Sequence, residues 1–302
     1  MADVLVEVEG QRMKLSNLDK VLYPESGFTK AEVIDYYTRI APVVLPHLRD
    51  RPATRKRYPD GVDAEPFFEK NAPSHTPAWV RTEQLPTPGS TLGRDTANFV
   101  VVDDLPTLVW CANLAALELH IPQWRVTPDG GRGDADLVVF DLDPGPPATV
   151  VECCRVALWL RDALAGDGLE AWPKTSGRKG MQLYVPVRDT PAERTSAYAK
   201  RLAEKLERAH AELVVSRMAK KLRGGKVFID WSQNNAAKTT VAPYSLRAAP
   251  EPTVSTPIAW DEVEACREVS DLRFLAGDVL ARADEDGDLF EPLLASRRPP
   301  LP

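Results

Sequence analysis

The chain has 302 residues, 43 % of them hydrophobic, and a net charge of −6. That length allows one large domain or two modest ones. No apolar run reaches the roughly 18 residues of a membrane span, and residues 1–7 are acidic and lack a signal-peptide pattern. Cys111, Cys153, Cys154 and Cys266 show no C-x-x-C or paired metal spacing, so the expectation is a cytoplasmic protein with reduced thiols and no membrane partner.

Net negative charge disfavours bulk attraction to nucleic acid but not local patches. Arg51, Arg55, Lys56 and Arg57 cluster in one run, and Arg217, Lys220, Lys221, Arg223 and Lys226 in another that holds no acid. Residues 261–288 carry ten acids against three arginines.

Residues 3–24 read as a short strand, a turn and a loop. Thr29-Lys30-Ala31-Glu32 is a capping-box pattern opening a helix over 30–41, with Val33, Tyr36, Tyr37 and Ile40 on one face. Lys20 and Lys30 flank its start. Their spacing suits a phosphate at a helix N-terminus, and equally two ordinary surface lysines. Phe67 and Phe68 beside Lys56 and Lys70 suit base stacking, while alternation predicts that at least one of them is core. Residues 84–98 read as a loop, 99–102 as a strand and 107–120 as a helix that His120 ends.

The run from Leu137 to Phe140 predicts a buried strand that puts Asp141 and Asp143 on one face before Pro144-Gly145. Thr149–Glu152 is a second capping box, for a helix to about 164. Strands are expected over 170–175 and 182–187, joined by the turn Ser176-Gly177-Arg178-Lys179-Gly180. The longest helix is expected over 192–213. A strand over 226–231 places Val227, Ile229 and Trp231 on one face and Phe228 and Asp230 on the other. Residues 234–246 read as polar connection, with short helices at 261–266 and 276–283.

Two carboxylates aimed the same way at a strand end repel one another, and a hard divalent cation resolves that conflict. Asp141, Asp143 and Asp230 can together hold two such ions for an in-line displacement at phosphorus. The Ser176–Gly180 turn offers backbone N–H groups, a hydroxyl and the Lys179 charge to phosphate oxygens. No Walker A motif is present, and Asp284–Asp288 has its glycine too early for a calcium loop.

These motifs, with Asn17–Pro24, Arg51–Arg57, Phe67–Lys70, Glu118–Trp124, Asp230–Asn234 and Lys238–Arg247 in the same order, make the chain resemble the polymerase domain of bacterial ligase D, in the archaeo-eukaryotic primase superfamily. The resemblance spans nearly the whole chain and includes no nucleotidyl-lysine ligase motif or nuclease region, so a stand-alone polymerase domain is expected. It implies an α+β fold with central, mostly antiparallel sheets flanked by helices. Residues 1–130 would contact DNA ends and template, 131–250 would form the catalytic core, and 251–302 would pack on it; pattern alone leaves two subdomains open.

The resemblance also implies roles. Asp141, Asp143 and Asp230 would bind two Mn2+ or Mg2+ ions. His120, Ser176, Lys179, Gln182, Gln233 and Arg247 would contact the nucleoside triphosphate, Lys56 nucleotide or template, and Phe67 and Phe68 a base. Lys20 and Lys30 would hold a 5′-phosphate at a DNA gap or break, and Arg57, Lys220 and Arg223 would contact DNA. Many family members have histidine where this chain has Gln182, which donates a hydrogen bond but carries no charge; Gln182 is expected to stay clear of the metal carboxylates. The implied activity is extension of a DNA 3′-hydroxyl with nucleoside triphosphates, ribonucleotides often preferred, in gap filling during break repair. Ku and a separate ligase are the implied protein partners. The rival readings are a non-catalytic DNA-end-aligning module and a de novo primase.

Overall fold

The computed structural model describes residues 3–87 and 95–302. A hairpin of β1 (Val4–Val8) and β2 (Gln11–Leu15) opens the chain, where a short strand, a turn and a loop were expected. Glu9 and Gly10 take φ 46° and 80° in its two-residue turn, the twist that suits paired strands. β3 (Val21–Tyr23) and β4 (Phe28–Thr29) then lead into α1 (Lys30–Leu48).

The capping box at α1 is present: Thr29 accepts from the Glu32 N–H, and the Glu32 carboxylate accepts from the Thr29 N–H. The helix outruns its expected end at residue 41 and continues through Pro42 and Pro46, because Val44 and Leu48 extend its buried stripe. β5 (Pro52–Arg57), β6 (Phe67–Glu69), β7 (Thr82–Pro86) and β8 (Thr96–Val101) follow. The last two pair antiparallel, so much of the 84–98 loop is a hairpin, while 88–94 lie outside the described residues.

The expected helix over 107–120 is two elements. α2 (Leu105–Asn113) stops, Ala115 reverses the chain at φ 56°, and β9 (Ala116–Ile121) begins. Leu119 falls on a helix stripe with Leu108, Ala112 and Ala115, but Leu117, Leu119 and Ile121 also alternate as one strand face, and tertiary pairing decides. β10 (Trp124–Val126), β11 (Arg132–Pro144), α3 (Val150–Gly166), β12 (Trp172–Thr175), β13 (Met181–Thr190) and α4 (Ala192–Ala209) come next. α4 has 18 residues and is shorter than α1, which has 19. β14 (Val214–Val215), β15 (Val227–Asp230), β16 (Thr240–Val241), α5 (Trp260–Ala265) and α6 (Ala276–Asp286) complete the regular elements; β16 falls where only polar connection was expected.

Two six-stranded sheets are formed among the described residues, giving the expected α+β class. One runs β12-β13-β11-β15-β14 with β10 also on β11, and is antiparallel except at β14–β15. The other runs β16-β9-β5-β8-β7 with β6 also on β5. β11 organises the first sheet. Val138, Phe140 and Leu142 bury against α3 and α4, including Val156, Leu160, Leu202 and Leu206. The opposite face carries Leu137 and Val139 under Phe290 and Leu293, and continues with Asp141 and Asp143. Apolar cover stops where the carboxylates begin. The second sheet packs on α1 and α2, and Phe274 touches both cores. All four cysteines are free and buried.

The last turns are tied to α1 by Asp288, whose carboxylate meets His47 Nε2 at 2.8 Å and accepts from the Tyr244 hydroxyl at 2.7 Å. Burial pushes this carboxyl up, but the hydrogen bonds from His47 and Tyr244 outweigh it and hold it below the ordinary range. A depressed carboxyl stabilises the fold above its unfolded pKa and loses that contribution as pH falls through the carboxylate range. Asp288→Asn is therefore expected to cost about 1–3 kcal/mol at pH 7 by urea unfolding. The gap from the parent should shrink on acidification toward pH 3.

Candidate active site

Strand register builds the acidic face. Asp141 lies opposite Asp230 on β15 and opposite Gln182 on β13, and Asp143 lies opposite Phe228. Burial, then Asp143 and Asp230, push the Asp141 carboxyl up to about 7, against the hydrogen bond from Gln182. Burial and Asp230 likewise raise Asp143, while Arg223 pulls the other way. Arg223 lies over the Phe228 ring, 3.7 Å from its centroid. Asp230 accepts from the Ser232 N–H at 3.0 Å and from Gln233 Nε2 at 2.9 Å, so the turn after β15 aims it.

Gln182 does not stay clear of the carboxylates. Its Nε2 donates to Asp141 Oδ1 at 3.0 Å, because β13 pairs residue 182 with residue 141. Among the described residues, no three of His, Cys, Asp or Glu are assembled as a cage for an ion. The arrangement is an open acidic face. Magnesium or manganese fits such a face, because these ions take one or two carboxylates and complete their shell with water and substrate phosphate oxygens.

The Ser176–Gly180 turn joins β12 to β13 and packs against the end of β11 beside this face. A Cβ at Gly180 would come within 2.0 Å of the Leu142 carbonyl, and one at Gly177, where φ is +69°, within 2.6 Å of Arg247 Cγ. Only glycine lets the turn lie this close. Ser176 Oγ accepts from the N–H groups of Arg178 and Gly180 at 3.3 and 3.2 Å, so two of the N–H groups expected to face phosphate brace the turn instead. Arg247 Nη1 donates to the Ser176 carbonyl at 2.5 Å, and its buried Nε has no hydrogen-bond acceptor.

A cleft of about 730 Å3 joins the two sheets, with Asp141, Asp143, Lys179 and Gln182 from one side and His120 and Arg247 from the other; Ser176 and Gln233 also reach it. Behind it lies Glu118, which the sequence reading left without a role. It is 1 % exposed, meets His120 Nε2 at 2.8 Å, accepts from the Ala248 N–H at 3.0 Å and has Arg178 and Arg247 each within 3.5 Å. Burial pushes its carboxyl up, but His120, Arg247 and Lys56 hold it well below the ordinary range. Residues 118 and 120 share a strand face, and that signal is invisible when the segment is read as a helix. His120, expected to end a helix, is accordingly a partner of Glu118 on the same strand. Burial lowers its pKa, against the pull of Glu118.

Phe67 and Phe68 are both exposed, at 58 % and 61 %, so neither is core. Phe68 lies 5.8 Å from the His120 ring. Lys56, opposite Phe68 in the sheet, is 4.0 Å from Glu118. Arg57 is engaged by Glu69 and the Leu114 carbonyl. Lys220 is exposed on a short 3-10 helix at Lys220–Leu222. Lys20 and Lys30 meet at the start of α1, where the Lys30 N–H bonds the Lys20 carbonyl at 2.8 Å. Lys20 pairs with Asp60 at 2.7 Å, and the Lys30 ammonium donates to the Ser16 carbonyl at 2.6 Å. Burial, then Lys20, push Lys30 down to about 8.

Carboxylates at a strand end, facing a cation-lined cleft between two sheets with an exposed aromatic pair beside it, define a polymerase-type nucleotidyltransferase. A family model described as the LigD primase-polymerase domain matches residues 29–290. The multifunctional non-homologous end joining protein LigD of Mycolicibacterium smegmatis is 48 % identical over 284 residues, which is 94 % of this chain and 36 % of that protein. The bifunctional non-homologous end joining protein LigD of Bacillus subtilis is 30 % identical over 92 % of this chain and 44 % of its own length. The polymerase domain of Mycobacterium tuberculosis ligase D, solved in complex with DNA, aligns with a TM-score of 0.88 at 44 % identity, covering 95 % of this chain and 99 % of that one.

The chain belongs to the LigD primase-polymerase domain family. It spans less than half the length of these two curated relatives.

A carboxyl raised in the folded state costs stability once pH passes its unfolded pKa, and the cost is complete above the folded value. Asp141→Asn should therefore raise the melting temperature at pH 8 in chelator, with the difference from the parent shrinking as pH falls through the ordinary carboxylate range toward pH 3. Added Mn2+ should stabilise the parent and not the variant.

Proposed function

We propose that this chain extends the 3′-hydroxyl of DNA with nucleoside triphosphates, filling gaps and processing broken ends that carry a 5′-phosphate during non-homologous end joining. The observation that carries the reading is Asp141 held between Asp230 and Gln182, with Asp143 beside it, facing a cleft that Lys179 and Arg247 line. Asp141, Asp143 and Asp230 would hold two Mn2+ or Mg2+ ions. When bound, these supply the charge that favours the 3′-alkoxide and offsets the pyrophosphate leaving group. A bond forms from the 3′-oxygen to the α-phosphorus as the bond to pyrophosphate breaks.

The chain's own groups position that event. Lys179 and Arg247 bind triphosphate oxygens, and Ser176 donates its hydroxyl there. His120 faces the sugar, with Glu118 fixing its ring. Gln233 and Gln182 aim Asp230 and Asp141. Phe67 and Phe68 stack on a base, with Lys56 beside them. Lys20 and Lys30 take the downstream 5′-phosphate, and Arg57, Lys220 and Arg223 support the DNA. We infer that the two sheets act as one catalytic unit, that ribonucleotides are accepted, and that the protein works in the bacterial cytoplasm on nucleoid DNA. Ku and a DNA ligase supply the rest of the repair reaction.

Primer extension on a 5′-phosphorylated gap with Mn2+ tests the reading. Asp141→Ala should lower the rate by at least about 100-fold, the loss expected when several kcal/mol of transition-state charge stabilisation goes. Equal extension by the variant supports a DNA-aligning module instead. The preference for a 5′-phosphate should vanish in Lys20→Ala. In the parent it should weaken as pH rises through 8, where Lys30 loses its proton. Gapped DNA with and without the phosphate, compared by fluorescence anisotropy at pH 7 and pH 9, reads both effects.

A further inference from the structure

A second strongly charged concavity lies at the other end of β11. It is a cleft of about 710 Å3 lined by Arg49, Arg125, Arg188, Arg297 and Arg298, with Asp189 as its one acidic lining residue. Asp136, which anchors the cleft from behind, precedes Asp141 by five residues, roughly 17 Å along a strand. The cleft therefore belongs to a different part of the molecule from the catalytic one.

Its floor is built rather than incidental. Asp136 is 3 % exposed. It is shared by three guanidinium groups: Arg51 at 2.7 Å, Arg298 at 2.8 Å and Arg125 at 3.0 Å. Arg298 also donates to the carbonyls of Leu293 and Ala295, which fixes the C-terminal segment over the cleft. One carboxylate thus meets three positive charges. Among the described residues, Arg49, Arg188 and Arg297 have no ion-pair partner, and Asp189 pairs with none of them. Like charges gathered round one concavity, in a chain whose net charge is −6, repel one another until an anion enters.

The chemistry of the lining selects the anion. Pro46, Leu294 and Ala295 are its only apolar members, and no aromatic is present. A docked acidic peptide draws most of its affinity from buried apolar or aromatic anchors. A phosphodiester backbone needs little beyond fixed cations, and guanidinium groups match phosphate oxygens in pairs. Position agrees. Trp124 of β10 lines the neighbouring cavity of about 1070 Å3 that also holds Phe68, Lys70 and Arg132. Arg125, the next residue, faces the arginine cleft from the opposite face of the same strand. β10 pairs only with β11 among the described strands, so a nucleic-acid strand leaving the Phe68 side reaches the arginines by rounding one edge strand.

We propose that this arginine cleft is an accessory site for the phosphodiester backbone of DNA flanking the point of synthesis. The choice of DNA rests on the polymerase reading; the anion site itself does not. Arg49→Gln, Arg188→Gln and Arg297→Gln combined remove charge and leave the Asp136 network intact. Binding is measured by fluorescence anisotropy across salt, on a short gapped duplex and on the same gap with a long flank. The triple variant should bind the long-flank DNA about tenfold more weakly, with a log–log salt slope shallower by about 2–3, and bind the short duplex as the parent does. The matching triple lysine variant should keep most of the slope.

Equal affinity and slope for parent and glutamine variant on long-flank DNA overturn the proposal. So does an equal loss on both DNAs, which marks a general defect. Loss of polyglutamate binding with DNA binding unchanged assigns the cleft to an acidic protein segment and overturns it as well. A parent protein that binds neither DNA contradicts the polymerase reading and this site together, whereas failure of the variant effect alone contradicts only the site.

Discussion

Three carboxylates held on one sheet face by strand pairing are the constraint on which the rest of the site depends. Asp141 cannot move away from Asp230, because their strands are hydrogen-bonded with those residues opposite one another. Asp143 cannot turn away either, because alternation along β11 fixes its side. The sheet can hold this repulsion because its other face is fully invested in α3 and α4. A protein that needed only stability would place apolar residues at these positions, as it does at Leu137 and Val139 on the same face.

The two walls of the cleft follow opposite electrostatic rules. On one, Asp141 and Asp143 crowd each other and Asp230 with too little positive charge, and both are pushed up. On the other, the single buried Glu118 is surrounded by Lys56, His120, Arg178 and Arg247 and is pushed down. The first wall attracts cations. The second holds its cations in place and has charge to spare for a polyanion. A metal–triphosphate complex presents both signs, so a cleft with one wall of each kind is complementary to it along its length.

Much of this was legible in the sequence, and the failures have physical causes. The Asp141–Asp143 pair, the facing of Asp230 and both capping boxes depend on local periodicity and on side chains reaching their own backbone, which a single sequence carries. Glu118 was missed because Leu119 also completes a helix stripe with Leu108, Ala112 and Ala115, and only pairing with β5 and β16 settles the segment as a strand. The Gln182–Asp141 contact was misjudged for a related reason. It depends on the register between β11 and β13, a long-range property that no spacing encodes. The exposure of both Phe67 and Phe68 contradicts simple alternation, and it is at binding surfaces that local rules are expected to fail.

An open acidic face of this kind would bind a metal fully only once substrate phosphates finish the coordination shell. Titration of Mn2+ followed by electron paramagnetic resonance, with and without a non-hydrolysable nucleoside triphosphate, tests it most directly. Manganese is expected to bind weakly to the protein alone and at least about tenfold more tightly with the nucleotide, beyond what nucleotide alone binds, with the enhancement lost in Asp141→Asn. Equal manganese affinity with and without nucleotide, or an enhancement that survives in Asp141→Asn, would contradict it.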